Sequence, residues 1–424
     1  MKRKADLVVT NCGQLLTLES PSPVPRRREA LASLAIIENG TLAAHKGKIV
    51  SVGSPGQVEG AIQPAQGCIE VDAGGAVVMP GFVDCHTHTV FACYRLDEYE
   101  KRVTGVPYAE IAAAGGGIAK SVRDVHEMDE DTLRSVSRER LNKCISHGST
   151  TVEIKSGYGL DLENELKQLR VIRDLASESS ADVVSTFLGA HAVPAEYAGR
   201  SDDFISLLIN EMLPVVVREG LAEFIDVFSE IGVFTTEEAE RILRSGIEAG
   251  LGTRVHADEL NDTGSAEMAV RIGTLSADHL TKISSKGIER MAGSPVIGVL
   301  LPGTSFGLPS LDFAPAREMV ERGMAIAIAS DFNPGSSPSE SMPMMLSIAC
   351  SHMGLMPAEA ISAATYNAAF VIRREREVGS LVERKRADFL ILDCEDYREV
   401  PYRFGTNPVK RVFMGGVEWN GDLT

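Results

Sequence analysis

Apolar residues in the middle of the chain occur in two alternating patterns. Short apolar runs of the kind that form strands are separated by longer stretches with helical spacing, which is typical of βαβ units with a parallel sheet. Between residues 81 and 375 the runs predict eight strands: Phe82–His88, Thr150–Lys155, Val183–His191, Ala222–Phe228, Thr253–Glu259, Thr274–Leu280, Val296–Pro302 and Ala325–Asp331. Helices are predicted between them, for example over Leu162–Ser177, Thr236–Ala249 and Ala314–Arg322. Eight strands joined by helices indicate an α/β fold, a TIM-like (β/α)8 barrel.

Both ends of the chain show a different pattern, in which short strand-like runs are broken by glycine turns. Leu7–Thr10 and Lys48–Val52 are examples near the N-terminus, and Val409–Met414 is one near the C-terminus. We therefore expect residues 1–80 and 376–424 to form one small composite β-sandwich domain beside a barrel domain of residues 81–375. The segment 89–149, which contains three consecutive glycines, is expected to be a flexible active-site loop.

Charge and composition then restrict the class of function. The 424 residues include 42 Lys and Arg against 59 Asp and Glu, a formal net charge of −17. This balance argues against nucleic acid, which requires a basic surface, and against an anionic membrane surface. The seven cysteines contain no CxxC pair, and no run of apolar residues is long enough to span a bilayer. These features predict a cytoplasmic protein with reduced thiols.

His86 and His88 are the strongest local signal of chemistry. In a strand, side chains two residues apart point the same way, so both imidazoles are expected to project into one site. They end the first predicted barrel strand, and barrel active sites form at the C-terminal ends of the strands. Cys85, between them, is expected to point away as a buried apolar residue and not to act as a nucleophile.

Three more histidines lie near the ends of predicted strands. His191 ends the third, His256 begins the run 256–259 at the end of the fifth, His279 lies one residue before the end of the sixth, and Asp331 ends the eighth. Five of the nine histidines are therefore expected on one rim of the barrel. No role is predicted for the other four: His45, His126, His147 and His352.

Three histidines and an aspartate around one divalent metal, with a position open to water, form a hydrolytic arrangement. Either Zn²⁺ or Fe²⁺ suits such ligands and would make hydroxide available near neutral pH. Glu259, three residues after His256, could carry a proton between that water and a leaving nitrogen.

Longer motifs carry a resemblance to a known family. Pro80–His88, with His256, His279 and Asp331, resembles the amidohydrolase superfamily, and so does a small β domain built from both termini. More narrowly, the runs 153–160, 187–194, 256–259, 276–280 and 330–338, with Tyr108 and the glycines 115–117, resemble the imidazolonepropionases of histidine degradation. The fourth strand lacks the lysine that bridges two metals in many superfamily members, which favours a single metal; Lys155 ends the second strand instead.

The resemblance implies hydrolysis of the ring amide of 4-imidazolone-5-propanoate to N-formimidoyl-L-glutamate. It implies a metal held by His86, His88, His256 and Asp331, with Glu259, His279 and Asp331 as catalytic groups. The residues implied to bind the substrate are Arg95, Tyr108, Tyr158, His191, Asn333, Gly335 and Ser336. Because the substrate carries a carboxylate, Arg95 would supply the cation that an acidic protein needs there. The resemblance is also compatible with a homodimer.

Two other functions remain open at this point. The same metal ligands serve deaminases of purines, pyrimidines or pterins, which release ammonia instead of a ring-opened acid. A non-catalytic scaffold protein is the third reading, although relatives of that kind lose metal ligands that this chain retains.

Overall fold

The computed structural model describes residues 2–106, 110–111, 114–308 and 312–421. Within these ranges the middle of the chain forms the parallel sheet that the apolar runs predict. Its strands are β6 (Phe82–Asp84), β7 (Ser149–Lys155), β8 (Asp182–Ala190), β9 (Phe224–Ser229), β10 (Gly252–Ala257), β11 (Ser276–His279), β12 (Ile297–Leu300) and β13 (Ile326–Ile328). Each strand pairs with the next one along the chain, in the order β6 to β13. The predicted fold class is confirmed.

The barrel closes where the ends of its first and last strands meet. The Asp331 amide donates to the His86 carbonyl at 3.0 Å, and the His88 amide donates to the Phe332 carbonyl at 2.8 Å. Asp84 adds a side-chain link, because its carboxylate accepts from the Ser330 amide at 2.9 Å. The closure therefore brings the His86–His88 segment directly beside Asp331.

Most helices cover the outside of the barrel and follow the predicted spacing, while Pro55–Ala61 packs on strands of the N-terminal segment. In chain order they are Pro55–Ala61, Leu96–Val103, Ile118–Glu127, Glu130–Ser146, Leu162–Glu178, Ser201–Leu207, Leu213–Arg218, Thr236–Glu248, Ser265–Ile272, Ser285–Ala292, Pro302–Gly307, Ala316–Arg322, Met342–Met353, Pro357–Ser362, Ala368–Val371 and Glu399–Tyr402, with 3-10 turns at Arg28–Ala32 and Ala195–Tyr197 and π turns at Leu208–Met212 and Ala363–Asn367. Thr235 caps one of them in a capping box with Glu238, which satisfies backbone donors at the helix start.

Two predictions about the barrel need correction. Six of the eight strands end earlier than predicted, by four residues at β6, because the chain leaves regular pairing at the rim; β7 ends at the predicted residue and β9 ends one residue later. The segment 89–149 is largely helical rather than a flexible loop, with helices at Leu96–Val103, Ile118–Glu127 and Glu130–Ser146. The last of these buries Leu133, Leu141 and Ile145, so apolar packing stabilises it.

The two ends of the chain form the predicted composite β domain. Its strands are β1 (Arg3–Leu16), β2 (Ile36–His45), β3 (Lys48–Gly53), β4 (Ile62–Asp72), β5 (Val77–Pro80), β14 (Phe389–Leu392), β15 (Val409–Met414) and β16 (Val417–Glu418). The C-terminal β14 pairs antiparallel with β5, which joins the two ends of the chain in one sheet. The boundaries at residues 80 and 375 stay a prediction.

Two further features bear on the sequence expectations. Each of the seven cysteines is free, and Cys85 is fully buried, as its place in the alternation predicts. Among the described residues, no helix has the length and apolar character needed to cross a membrane.

Candidate metal centre

The barrel closure creates the first half of the site. His86 and His88 face Asp331, whose Oδ1 lies 3.5 Å from His86 Nε2 and 3.4 Å from His88 Nε2. All three residues are buried. The i, i+2 spacing of the two histidines therefore does place both imidazoles on one side, at the C-terminal rim of the barrel.

Two histidines from neighbouring strands form the second half. His256 in β10 lies 4.6 Å from His86 between ring centroids, and 5.1 Å from His279, which ends β11. One nitrogen from each of His86, His256 and His279 lies within 4.8 Å of the others, as do single ligand atoms of His86, His88 and Asp331. The site is thus a continuous cluster of four histidines and one aspartate, with His86 common to both groups.

The donor atoms that face this cluster fit a metal ion. His86 Nε2, His256 Nε2 and Asp331 Oδ1 are buried and have no hydrogen-bond partner in the part of the chain that the structure describes. Buried polar atoms are rarely left unpaired, since each costs the free energy of its lost solvation. Imidazole nitrogens and a carboxylate oxygen suit Zn²⁺ or Fe²⁺, so this donor set can hold one such cation.

Burial prepares the histidines for this role. It lowers the pKa of His86, His88 and His279 well below the usual range, and the nearby Lys155 and neighbouring histidines lower it further. The rings are then neutral at pH 7, which is the state that binds a metal. His279 and Asp331 also have positive φ angles of 76° and 49°. Residues other than glycine seldom adopt this region, and such strain is concentrated at functional sites.

Two carboxylates and a hydroxyl hold side chains of the cluster by the atoms that point away from it. His86 Nδ1 lies 2.6 Å from Asp278 Oδ2, and His256 Nδ1 lies 3.1 Å from Asp226 Oδ1. Each contact favours a proton on Nδ1 and turns Nε2 toward the cluster. The Thr304 hydroxyl donates to Asp331 Oδ2, which leaves Oδ1 for the cluster.

Glu259 lies beside the cluster, as its position after β10 suggests. Its Oε1 is 3.6 Å from His279 Nδ1. Burial, with the negative charges of Asp331 and Glu230, raises the pKa of Glu259 well above its usual range. A buried carboxyl group with a raised pKa is a candidate for proton transfer.

A cavity of about 320 Å³ opens onto the cluster. Ten of the residues proposed from the sequence line it: His88, Arg95, Tyr158, His191, His256, Glu259, His279, Asp331, Asn333 and Ser336. His86 is buried beneath it, and Gly335 does not line it. Tyr108 lies outside the described residues.

Arg95 is a buried cation with unused donors. Its Nε lies 3.6 Å from Glu98 Oε2, while Nε and Nη1 make no hydrogen bond to any described residue. A Cβ atom at Gly335 would collide with the guanidinium, so glycine is needed there to make room for Arg95. Arg95 therefore brings a guanidinium with unpaired donors to the cavity wall, and such a group has the chemistry to bind an anion.

The other predicted pocket residues are held by local contacts. Asn333 Oδ1 accepts from the amides of Gly335 and Ser336, both at 2.8 Å, which shapes the loop after β13. His191 Nδ1 lies 3.0 Å from the Gly157 carbonyl, and its ring stacks on His88 at 5.0 Å. Tyr158 packs against His191 at 5.3 Å.

Several residues of the site were not predicted from the sequence. Arg102 and Lys282 line the cavity, and Asp226, Asp278, Glu153 and Arg254 lie beneath it. One signal was available: Arg254 lies two residues before His256, and Glu153 two before Lys155, so each pair shares a face of its strand. Charged residues within otherwise apolar strands were therefore a sign of a buried polar network.

Acid should release the metal through Asp331. Burial raises the pKa of this carboxyl to about 6 in the metal-free protein. As the pH falls through about 6 the carboxylate takes up a proton that a metal must displace, so apparent Zn²⁺ affinity should fall about tenfold per pH unit below that value. Chelator competition between pH 5 and 8 measures this. Asp331→Asn should bind more weakly and lack this proton-linked component, and an equal pH dependence in both proteins would contradict the assignment.

Comparison with known proteins identifies the family. The model of the amidohydrolase family matches residues 77–418. Imidazolonepropionase of Geobacillus kaustophilus (strain HTA426) is 46% identical over 411 residues, covering 97% of both chains. Imidazolonepropionase of Solibacter usitatus (strain Ellin6076) is 44% identical over 413 residues, covering 97% of this chain and 98% of that protein.

Solved structures of lower identity share the fold. An adenosine deaminase from Xanthomonas campestris with bound zinc superposes with a TM-score of 0.73 at 16% identity, covering 99% of this chain and 93% of that one. A 5-methylcytosine deaminase from Klebsiella pneumoniae gives 0.71 at 16% identity, with 98% of each chain covered. At such identities the likeness concerns the architecture alone.

Proposed function

This chain belongs to the imidazolonepropionases, within the metal-dependent amidohydrolase family, and we propose from that premise how its residues hydrolyse a cyclic amide. The reaction is opening of the ring amide of 4-imidazolone-5-propanoate to N-formimidoyl-L-glutamate. The assignment of roles rests on one cavity. Its wall contains the buried Arg95 together with side-chain atoms that can bind a metal and have no hydrogen-bond partner among the described residues.

We propose that His86, His88, His256 and Asp331 hold one divalent cation, either Zn²⁺ or Fe²⁺. Such a cation supplies Lewis acidity, which acidifies water and polarises a carbonyl group. His279 is assigned to the substrate rather than to the cation, as the resemblance to imidazolonepropionases implies, and its Nδ1 lies 3.6 Å from Glu259 Oε1.

The protein's own groups then bind the substrate and move the proton. Arg95 binds the propanoate carboxylate, and Tyr158, His191, Asn333 and Ser336 surround the ring. Glu259 takes a proton from the attacking water as the new C–O bond forms at the ring carbonyl carbon. It returns the proton to the ring nitrogen as the C–N bond breaks, while His279 polarises the carbonyl oxygen.

Replacement of Arg95 tests the carboxylate contact. Arg95→Met should raise KM by about 10- to 100-fold with little change in kcat, because a charge-assisted hydrogen bond contributes about 1.5–3 kcal/mol to binding. Steady-state kinetics measure both constants. Arg322→Met, at an exposed arginine on the barrel exterior, is the control and should match the wild type. A drop in kcat alone at position 95 would contradict the assignment.

An ultraviolet assay of imidazolone loss, with metal analysis of the same sample, tests the function itself. We expect turnover of imidazolone propanoate by protein with about one metal per chain, and a ring-opened formimidoyl product. Release of ammonia from a purine, pyrimidine or pterin, with no turnover of imidazolone propanoate, would favour a deaminase. Protein without metal or activity would favour a scaffold.

We further propose a cytoplasmic enzyme that acts as a homodimer on a small carboxylate and binds neither nucleic acid nor membranes. The net charge of −17 supports the last two points, because polyanionic surfaces would repel the protein. Light scattering coupled to gel filtration tests the dimer, and a monomer mass would contradict it.

A further inference from the structure

A row of buried charged side chains connects two of the proposed metal ligands beneath the cavity. We call its five members, which lie between His86 and His256, the charge chain. In spatial order they are Asp278, Arg254, Glu153, Lys155 and Asp226. All five are fully buried, on strands β7, β9, β10 and β11.

One end of the charge chain reaches His86. Asp278 Oδ2 lies 2.6 Å from His86 Nδ1 and also 2.7 Å from Arg254 Nη2. Arg254 Nη1 continues to Glu153 Oε1 at 3.0 Å. One carboxylate oxygen of Asp278 thus joins the proposed ligand His86 to Arg254, which lies three strands away from Glu153 in the sheet.

The other end reaches His256 by a similar route. Lys155 Nζ lies 2.7 Å from Glu153 Oε1 and 2.9 Å from Asp226 Oδ2. The second oxygen of Asp226 lies 3.1 Å from His256 Nδ1. The amine of Lys155 is therefore engaged by two carboxylates within the barrel.

Glu153 is the centre of the charge chain. Its Oε1 faces both cations, Lys155 and Arg254, and accepts from the Thr186 hydroxyl. Its Oε2 accepts from the Thr87 amide at 3.3 Å, within the His86–His88 segment. Neither Glu153 nor Lys155 contacts a ligand histidine through its side chain.

The charges of this arrangement balance only with a divalent cation. Three carboxylates and two cations leave the charge chain at −1, and ionised Asp331 adds another −1 at the cluster. A divalent cation would bring the sum over these six side chains to zero. Since uncompensated buried charge is costly, the charge chain must influence how tightly the cation is held.

We propose that Glu153, Lys155 and Arg254 are positioning residues that set the cation affinity of the site as one charge unit, acting through Asp226 and Asp278. The inference rests on the proposed metal site, and it extends the set of residues that matter for the reaction beyond those that touch metal or substrate. Its distinctive consequence is compensation: loss of one charge weakens the site, and loss of the matching opposite charge restores it.

The test measures Zn²⁺ binding to the full-length apoprotein by chelator competition. Glu153→Gln brings the charge chain to zero and should weaken Zn²⁺ binding about 10- to 100-fold, as removal of outer-sphere partners does. Glu153→Gln/Lys155→Met returns it to −1 and should bind within about threefold of the wild type. A double variant no tighter than Glu153→Gln would overturn the proposal, as would a single variant with wild-type affinity.

A matched control separates charge from stability. Glu359 is also buried and pairs with Arg317 at 3.1 Å, away from the cavity. Glu359→Gln should lower the Tm of the apoprotein but leave its Zn²⁺ affinity unchanged. A loss of Zn²⁺ affinity equal to that of Glu153→Gln would show that general destabilisation explains the effect, and it would overturn the proposal.

Two outcomes need separate treatment. If Glu153→Gln alone does not fold, two double variants test the proposal instead: Glu153→Gln/Lys155→Met and Glu153→Gln/Arg254→Met. In both, the net charge of the charge chain is −1, as in the wild type, so both should bind Zn²⁺ like the wild type. A tenfold loss of Zn²⁺ affinity in either would overturn the proposal. Wild-type apoprotein that takes up no Zn²⁺ or Fe²⁺ would overturn the proposed metal site and this inference together. Normal uptake without compensation would overturn the inference alone.

Discussion

Glu259→Gln should lower kcat by about two to four orders of magnitude while the metal stays bound. The glutamine keeps the shape of the side chain but can neither accept the proton of the attacking water nor return it to the leaving nitrogen. The buried position of Glu259 beside His279, and a pKa well above its usual range, are the features that suit it to this proton transfer.

Steady-state kinetics and elemental analysis test this prediction. Steady-state assays should show the loss in kcat with KM changed by less than about fivefold, and elemental analysis should show wild-type metal content. Glu259→Asp should recover part of the rate because it keeps the carboxylate. Glu237→Gln, on an exposed helix surface, should behave as wild type. Loss of metal from Glu259→Gln would instead make Glu259 a ligand.

His256→Ala should abolish stoichiometric metal binding, and with it more than about 99.9% of the activity. His256 provides an unpaired Nε2 at the centre of the cluster, and Asp226 orients it from behind. Its removal leaves fewer ligands and takes away the partner of Asp226 Oδ1, so the site loses the geometry that holds a cation.

His279→Ala is the informative partner to this variant, because His279 lies within the same cluster of nitrogen atoms. If it acts on the substrate carbonyl, the variant should keep its metal and lose kcat by about 10²- to 10³-fold. His352→Ala, whose ring stacks on Phe313 outside the cavity, should retain both metal and activity. Metal loss from His279→Ala equal to that from His256→Ala would show that His279 is a ligand.

Local sequence patterns were sufficient to predict the barrel and most of the histidine cluster. Strand alternation and strand ends are properties of short segments, so they predicted that His86 and His88 share a side and that His256 lies at the rim. The glycine-containing segment 89–149 was misjudged, because its helices depend on burial against the barrel as well as on local spacing. Leu133 and Ile145, for example, are buried in that packing.

The sequence by itself determined the eight-stranded barrel, the composite β domain and the histidines that meet at one rim, because strand and helix periodicity is encoded within a few residues. Only the tertiary structure decided which residues of the first and last strand segments meet, and that Glu153 and Lys155 connect to both Asp226 and Asp278. Those contacts depend on register between strands and on closure of the sheet. They join residues separated by up to 246 positions, such as Asp84 and Ser330, and no local pattern specifies them.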